Sequence, residues 1–282
     1  MMSLMSKLLM SALITSVALS ANTTIPDTKT LLKYVKRSVV KNPQVTVKAI
    51  NIIETQTHKD LEGWTILLTN MDLEYHKKEI HAPEIMFVKD GLVTGSLVNL
   101  KTGRDYRKEI KPTVKPELYN KEHLLFGDAN ATHKMVVFSD PQCPFCQEVV
   151  PEIFKAAKAH PELLAVYYYH LPLVRLHPVS DVLTRVMHIA QKEGRLDVVE
   201  KMYQLKINPR TTKVEKILSA VKKQTGFSVT PEQVESKEVK EALSADEKSA
   251  GEMMVQGTPT IYLDGKWDKM RDGYQKFIET KK

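Results

Sequence analysis

Cys143 and Cys146 are the only cysteines in a chain of 282 residues, and just Pro144 and Phe145 separate them. Three chemistries use that spacing: a structural cross-link, half of a metal site, or a redox pair that exchanges disulfides with other thiols. A cross-link across so short a loop constrains the unfolded chain very little. Zinc takes four ligands, and the nearest histidines (His133, His160, His170 and His177) have no knuckle spacing with one another. Exchange needs the thiolate, and an ordinary thiol of pKa near 8.5 is only about 3% ionised at pH 7. The neighbouring residues supply a remedy. Phe138-Ser139-Asp140-Pro141 stops an apolar strand, and Pro144 suits a first helical position, where its missing N–H would have no helical partner. Cys143 is thus expected at a helix N-terminus, accessible, where unpaired amides and the positive dipole end favour the anion. Cys146, one turn on, is expected to be tucked against the fold within disulfide reach. Pro144 and Phe145, between the two, are placed to tune the thiolate's stability and with it the redox poise.

The elements that must hold this pair can be read on either side of it. Met135-Val136-Val137-Phe138 is a continuous apolar run of the doubly buried kind. Gln147 to His160 follows as a helix with Val150, Ile153, Phe154 and Ala157 on one side, and Leu164 to Leu171 is a second buried strand. Residues from Ser180 to about Val255 read as helical, broken near Asn208-Pro209 and Thr225-Gly226. Gly257-Thr258-Pro259-Thr260 then leads into a strand and tight turn, Ile261 to Lys266, and a last helix is expected from Tyr274 to Lys282. His170 and His177 are taken as structural or surface residues.

Upstream, Thr28 to Val40 places Leu31, Leu32, Val35 and Val39 on one helical face. Strands are expected at Val45 to Val47, Trp64 to Leu68, Ile85 to Val88 and Leu92 to Val98, the last two joined by the hairpin signal Asp90-Gly91. Pro112 and Pro116 mark a break, and Glu117 to Phe126 reads as a short connecting helix. There is no internal repeat or low-complexity segment.

Lys7 followed by the mostly apolar Leu8 to Leu19 and the small residues Ser20 and Ala21 has the order of a secretory signal peptide. Its apolar run is shorter than the roughly 20 residues that span a bilayer. An exported chain enters a compartment where disulfides persist. The net charge of +7 is spread along the chain as a solvated surface, and no basic block interleaved with aromatics points to nucleic acid.

Phe138-Ser139-Asp140-Pro141-Gln142-Cys143-Pro144-Phe145-Cys146, Tyr169-His170-Leu171-Pro172 and Gly257-Thr258-Pro259-Thr260 together resemble the thioredoxin-like domain of periplasmic disulfide interchange proteins of the DsbC/DsbG family. The resemblance covers Gly127 to Lys282 well, and the N-terminal half only in layout. It implies a mixed α+β and α/β chain: signal peptide 1–21, a small α+β (cystatin-like) dimerisation domain 22–112, a linker helix 113–127, and a thioredoxin-like domain 128–282 with a helical insert at about 180–255. It implies a V-shaped homodimer whose cleft takes unfolded or misoxidised exported proteins, and a membrane redox partner that reoxidises or reduces the cysteine pair. Cys143 would be the attacking thiol, Cys146 the resolving thiol, Pro259 a cis-proline facing them, and Thr258 a substrate contact. No cofactor or metal is called for, because the electrons reside in the sulfur pair. A chaperone-like binding protein with secondary cysteines is the alternative. In two respects the chain departs from the pattern. Thioredoxin-like enzymes often bury an acid on the strand ahead of the cysteines, and here none occurs before Asp140. Pro144-Phe145 matches the dipeptide of no one subtype, which leaves oxidase, isomerase and reductase open.

Overall fold

The computed structural model describes residues 25–279, so the expected signal peptide and the last three residues of the expected C-terminal helix lie outside them. The chain divides into two compact units, Met1–Arg107 and Lys108–Lys282. No helix among the described residues is long and apolar enough to cross a membrane.

In the first unit, α1 (Thr28–Tyr34) is capped by the Asp27 side chain, which accepts from the Thr30 amide, and it continues through a wider turn, Val35–Val39. Its face of Leu31 and Val35 packs on one side of an antiparallel sheet, against Val47, Ile50, Leu67, Met71, Met86 and Val88. The sheet runs in order β1 (Val45–Gln56), β2 (Thr65–Tyr75), β3 (Lys78–Lys89) and β4 (Leu92–Thr94). Asp90 and Gly91 both have positive φ, as a two-residue hairpin turn requires. β2 and β3 are much longer than the expected apolar runs. His76 and Lys77 turn between them with positive φ, although neither is a typical residue for that conformation.

The second unit is built on a five-stranded sheet of order β5-β7-β6-β8-β9. β6 (His133–Ser139) and β7 (Leu164–His170) run parallel, linked by α2 (Pro144–Ala159). β5 (Leu124–Phe126), β8 (Thr260–Leu263) and β9 (Lys266–Trp267) pair antiparallel. Both faces of the central strands are covered. Met135, Val137, Val166 and Tyr168 point into a large core shared with α2 and with α3 (Val179–Lys192), α4 (Leu196–Met202) and α5 (Val214–Thr225). Val136, Phe138, Ala165, Tyr167 and Tyr169 point the other way, toward Val114, Ala250, Met253 and Tyr262. This double burial is why these strands read as unbroken apolar runs rather than alternating ones. The helical insert continues with α6 (Pro231–Val234) and α7 (Lys237–Glu252), and α8 (Gln275–Glu279) closes the described chain.

The connecting helix expected from Glu117 to Phe126 does not form. Pro116–Leu118 makes one 3-10 turn, and Leu124–Phe126 becomes the edge strand β5. The Asn120 side chain accepts from the His123 amide at 3.1 Å, which satisfies the backbone without a helix. Leu125 and Phe126 then bury in the core in extended form. Residues 108–118 belong to the second unit because Val114 packs on its sheet and donates its amide to Gly265 at 2.9 Å.

Gly127 ends β5 with φ +85°, and a Cβ there would lie 2.0 Å from the Leu164 carbonyl oxygen. Gly127→Ala should therefore cost about 3 kcal/mol through backbone strain and overpacking. Thermal unfolding should show that as a fall of roughly 6–12 °C in Tm.

Candidate active site

Cys143 is the N-cap of α2, with extended φ and ψ of −70° and 123°, and Pro144 occupies the first helical turn. The Cys143 carbonyl accepts from the Gln147 amide at 3.0 Å, so the helix starts at the sulfur-bearing residue itself. Cys146 lies on the buried face of the same helix with Val150, Ile153, Phe154 and Ala157. Both cysteines are thiols. Cys146 is fully buried, whereas Phe145 is 61% exposed with the Arg271 guanidinium 6.0 Å from its ring centre.

Asp140 fixes the loop between β6 and α2. Its carboxylate is fully buried and accepts four hydrogen bonds: from the Gln142 amide (2.7 Å), the Ser180 hydroxyl (2.6 Å), the Leu173 amide (2.8 Å) and His177 Nδ1 (3.0 Å). Its carbonyl accepts from the Cys143 amide at 3.2 Å. One side chain thus ties the cysteine loop to the segment after β7 and to the start of α3. The importance of Asp140 was not legible in the sequence, where it stands merely as the acid that ends a strand. His177 belongs to this anchor.

The Gly257-Thr258-Pro259-Thr260 loop arrives from the far end of the chain. Pairing of Phe138 with Thr260 in the β6–β8 ladder places it beside the residues that follow β6. The Thr258–Pro259 peptide is cis, and the Cys143 thiol donates to the Thr258 carbonyl at 3.3 Å. The loop covers the sulfur, so Cys143 is only 5% exposed and not the open residue that a helix tip by itself suggests.

Residues 119–280 match a protein family described as thioredoxin. The chain belongs to the thioredoxin family. No curated protein matches it. Among solved structures, oxidised BdbD from Bacillus subtilis is similar at 18% identity, covering 61% of this chain and 95% of its own, with a TM-score of 0.47. A periplasmic thioredoxin-like protein from Salmonella enterica serovar Typhimurium gives 20%, 60%, 97% and 0.46 for the same quantities. ScsC from Proteus mirabilis in a transitional conformation gives 19%, 58%, 73% and 0.45.

In this thioredoxin-family site the two thiols are driven apart in acidity. Cys143 is lowered to about 5, most strongly by a hydrogen bond from the Cys146 side chain. Burial opposes the shift, and the backbone amides of Cys146 and Phe145 support it. The helix start does stabilise the anion, as its position suggested, yet the second thiol contributes more. Thr258 Oγ1 is buried without a well-formed hydrogen bond, and its approach to the Cys143 sulfur also helps to hold that thiol low. Cys146 is pushed far up, chiefly by its burial and by its bond to Cys143. A poised anion beside a locked thiol is what nucleophilic attack followed by intramolecular release requires.

His170 stays apart from this chemistry. It is buried at the end of β7, where burial lowers its imidazole to about 4, so it is neutral. Its amide donates to Asp246 at 2.8 Å. Among the described residues, no group of three or more His, Cys, Asp or Glu side chains is arranged to hold a metal ion.

Proposed function

We propose that this thioredoxin-family chain is a thiol-disulfide oxidoreductase of exported proteins, of the DsbC/DsbG type, acting in the periplasm. What carries the reading is the asymmetry of the pair: a thiolate-favouring Cys143 at a helix start and a buried, protonated Cys146 one turn on. The Cys143 thiolate attacks a substrate disulfide, and one substrate sulfur leaves. Cys146 then attacks Cys143, forms the Cys143–Cys146 disulfide and releases the second substrate sulfur. Run backwards, the same steps donate a disulfide.

Thr258 and Pro259 line the approach to Cys143 and would meet the substrate backbone. Exposed Phe145 offers an apolar contact next to the reacting sulfur, and Pro144 and Phe145 set the geometry in which the amides face that sulfur. Substrates would be unfolded or misoxidised exported chains. A membrane redox partner would reset the pair, and the N-terminal sheet unit would join two copies. The residues at 7–21 support export.

Cys146→Ser tests the assignment. With release blocked, covalent complexes with substrate proteins should accumulate on non-reducing gels, vanish with reductant and be absent from the Cys143→Ser, Cys146→Ser double variant. Equal accumulation in the double variant would exclude Cys143 as the attacking sulfur. Thiol trapping in cells then reads the direction: a reduced pool marks an isomerase or reductase, an oxidised pool a disulfide donor.

A further inference from the structure

Large apolar side chains reach the surface of the second unit at one end. Among its described residues the exposed ones are Phe145 (61%), Val174 (43%), Leu176 (59%) and Met270 (75%). Phe145 lies between the cysteines. Val174 and Leu176 stand at the tip of a turn in which the Leu176 and His177 amides both donate to the Leu173 carbonyl at 2.8 Å. The Leu173 amide and His177 Nδ1 bind the Asp140 carboxylate, which also takes the Gln142 amide next to Cys143. One carboxylate therefore holds this turn against the cysteine loop. Met270 belongs to a second turn, in which the Asp268 side chain accepts from the Arg271 amide (3.0 Å) and the Gly273 amide (2.8 Å). The Asp268 amide donates to the Ile261 carbonyl at 2.8 Å, two residues beyond Pro259. The Arg271 guanidinium, 6.0 Å from the centre of the Phe145 ring, joins this turn to the residue between the cysteines. Apolar side chains gathered in this way mark a surface that another chain covers.

The same two turns carry Arg175 and Arg271. Elsewhere in this unit Arg185 holds Asp181 and Glu235, and Arg195 holds Asp197. Arg175 and Arg271 form no ion pair among the described residues, although Glu148 and Asp272 are exposed nearby in the chain. The acid built into the second turn, Asp268, is occupied by the two amides, and Lys269 is occupied by Glu109 at 3.4 Å. A guanidinium with free donors takes a carboxylate in two parallel hydrogen bonds. Apolar neighbours displace water when a partner docks, and that strengthens such a pair over one on open surface. Accepting the proposed exchange chemistry as its basis, we infer that Phe145, Val174, Leu176 and Met270, with Arg175 and Arg271 among them, select substrate segments that carry Asp or Glu beside an apolar residue near the reacting cysteine. The apolar side chain of such a segment covers the exposed patch and its carboxylates meet the two guanidinium groups. Lysine in the same places is repelled. The selection acts on encounter and binding, and the sulfur chemistry is that proposed above.

Three peptides of equal length, each closed by one internal disulfide, test this with the full reduced chain. Their cysteines are flanked by glutamate and leucine, by lysine and leucine, or by glutamate and serine. In each reaction the peptide disulfide takes two electrons and both protons from the cysteine pair, leaving two peptide thiols and the Cys143–Cys146 disulfide. Every kcat/KM is divided by the rate of the same peptide with dithiothreitol, which removes the effect of the flanks on the disulfide itself. The glutamate–leucine peptide should then lead the lysine–leucine peptide by about tenfold at low salt, and the lead should shrink at high salt. It should lead the glutamate–serine peptide by about fivefold, the worth of one partly covered leucine. The lead over lysine should fall to about twofold or less in Arg175→Gln, Arg271→Gln, invert in Arg175→Glu, Arg271→Glu, and survive in Arg175→Lys, Arg271→Lys. Equal normalised rates, or a lead that the Arg→Gln pair leaves intact, would overturn the selection by charge. A glutamate–serine peptide as fast as the glutamate–leucine one would overturn the apolar contact. Absence of exchange with all three peptides would instead overturn the proposed function.

Discussion

Cys143→Ser should lower disulfide-exchange activity, measured as insulin reduction, by three orders of magnitude or more, as loss of a nucleophile does in other covalent mechanisms. In the parent chain, alkylation of Cys143 by iodoacetamide should titrate with a midpoint near pH 5, the value at which its thiol is held. A midpoint near 8.5 would mean that neither the Cys146 hydrogen bond nor the helix start acts on the sulfur. At pH 7 the low value raises the thiolate fraction from about 3% to nearly all, roughly thirtyfold. A less basic thiolate is also a weaker nucleophile, and a Brønsted slope of about 0.4–0.5 over some 3.5 units removes a factor of roughly 25–55. Attack is therefore not accelerated. The effect falls on equilibrium instead.

Cys143 is depressed in the folded, reduced protein relative to an unfolded value near 8.5. Its contribution is complete above that value, declines as pH falls, and is gone below about 5. The oxidised protein has no such group. Between about pH 5 and 8.5 the reduced form should gain roughly 1.4 kcal/mol on the oxidised form per pH unit. At pH 7 that is about 3 kcal/mol, or roughly 60 mV toward a more oxidising pair than ordinary thiols would give. Equilibration with glutathione at several pH values measures it directly.

Asp140→Ala should destabilise the second unit by about 3–5 kcal/mol, because it strands buried donors that have no access to water. The Ser180 hydroxyl and the Gln142 and Leu173 amides lose their acceptor at once. Denaturant unfolding should show a lower midpoint with an unchanged slope. Since Gln142 and Cys143 both depend on Asp140, the cysteine loop should loosen as well. Alkylation of Cys143 should then move toward higher pH in Asp140→Ala. A variant that unfolds and titrates like the parent chain would show that Asp140 anchors nothing.

The sequence carried the local part of this design. Pro144 behind Cys143 announced a helix start, the run Met135 to Phe138 announced a strand buried on both faces, and Asp90-Gly91 announced a tight hairpin. Each is a rule about residues a few positions apart. The β2–β3 hairpin escaped because its far half is polar and its turn, His76-Lys77, lacks a turn signal. The helix expected at 117–126 failed because β7 offers its edge to Leu124–Phe126, and pairing there buries Leu125 and Phe126. The acidity of Cys143, the cover that Thr258 puts over it, the grip of Asp140 on Ser180 and the Ser139–Tyr203 contact all join residues between 3 and 115 positions apart. Spacing fixes neighbours along a helix or strand, where backbone geometry dictates distance. Across the fold, distance is set by which strand pairs with which and by how side chains fill the core, and only the tertiary structure decides that.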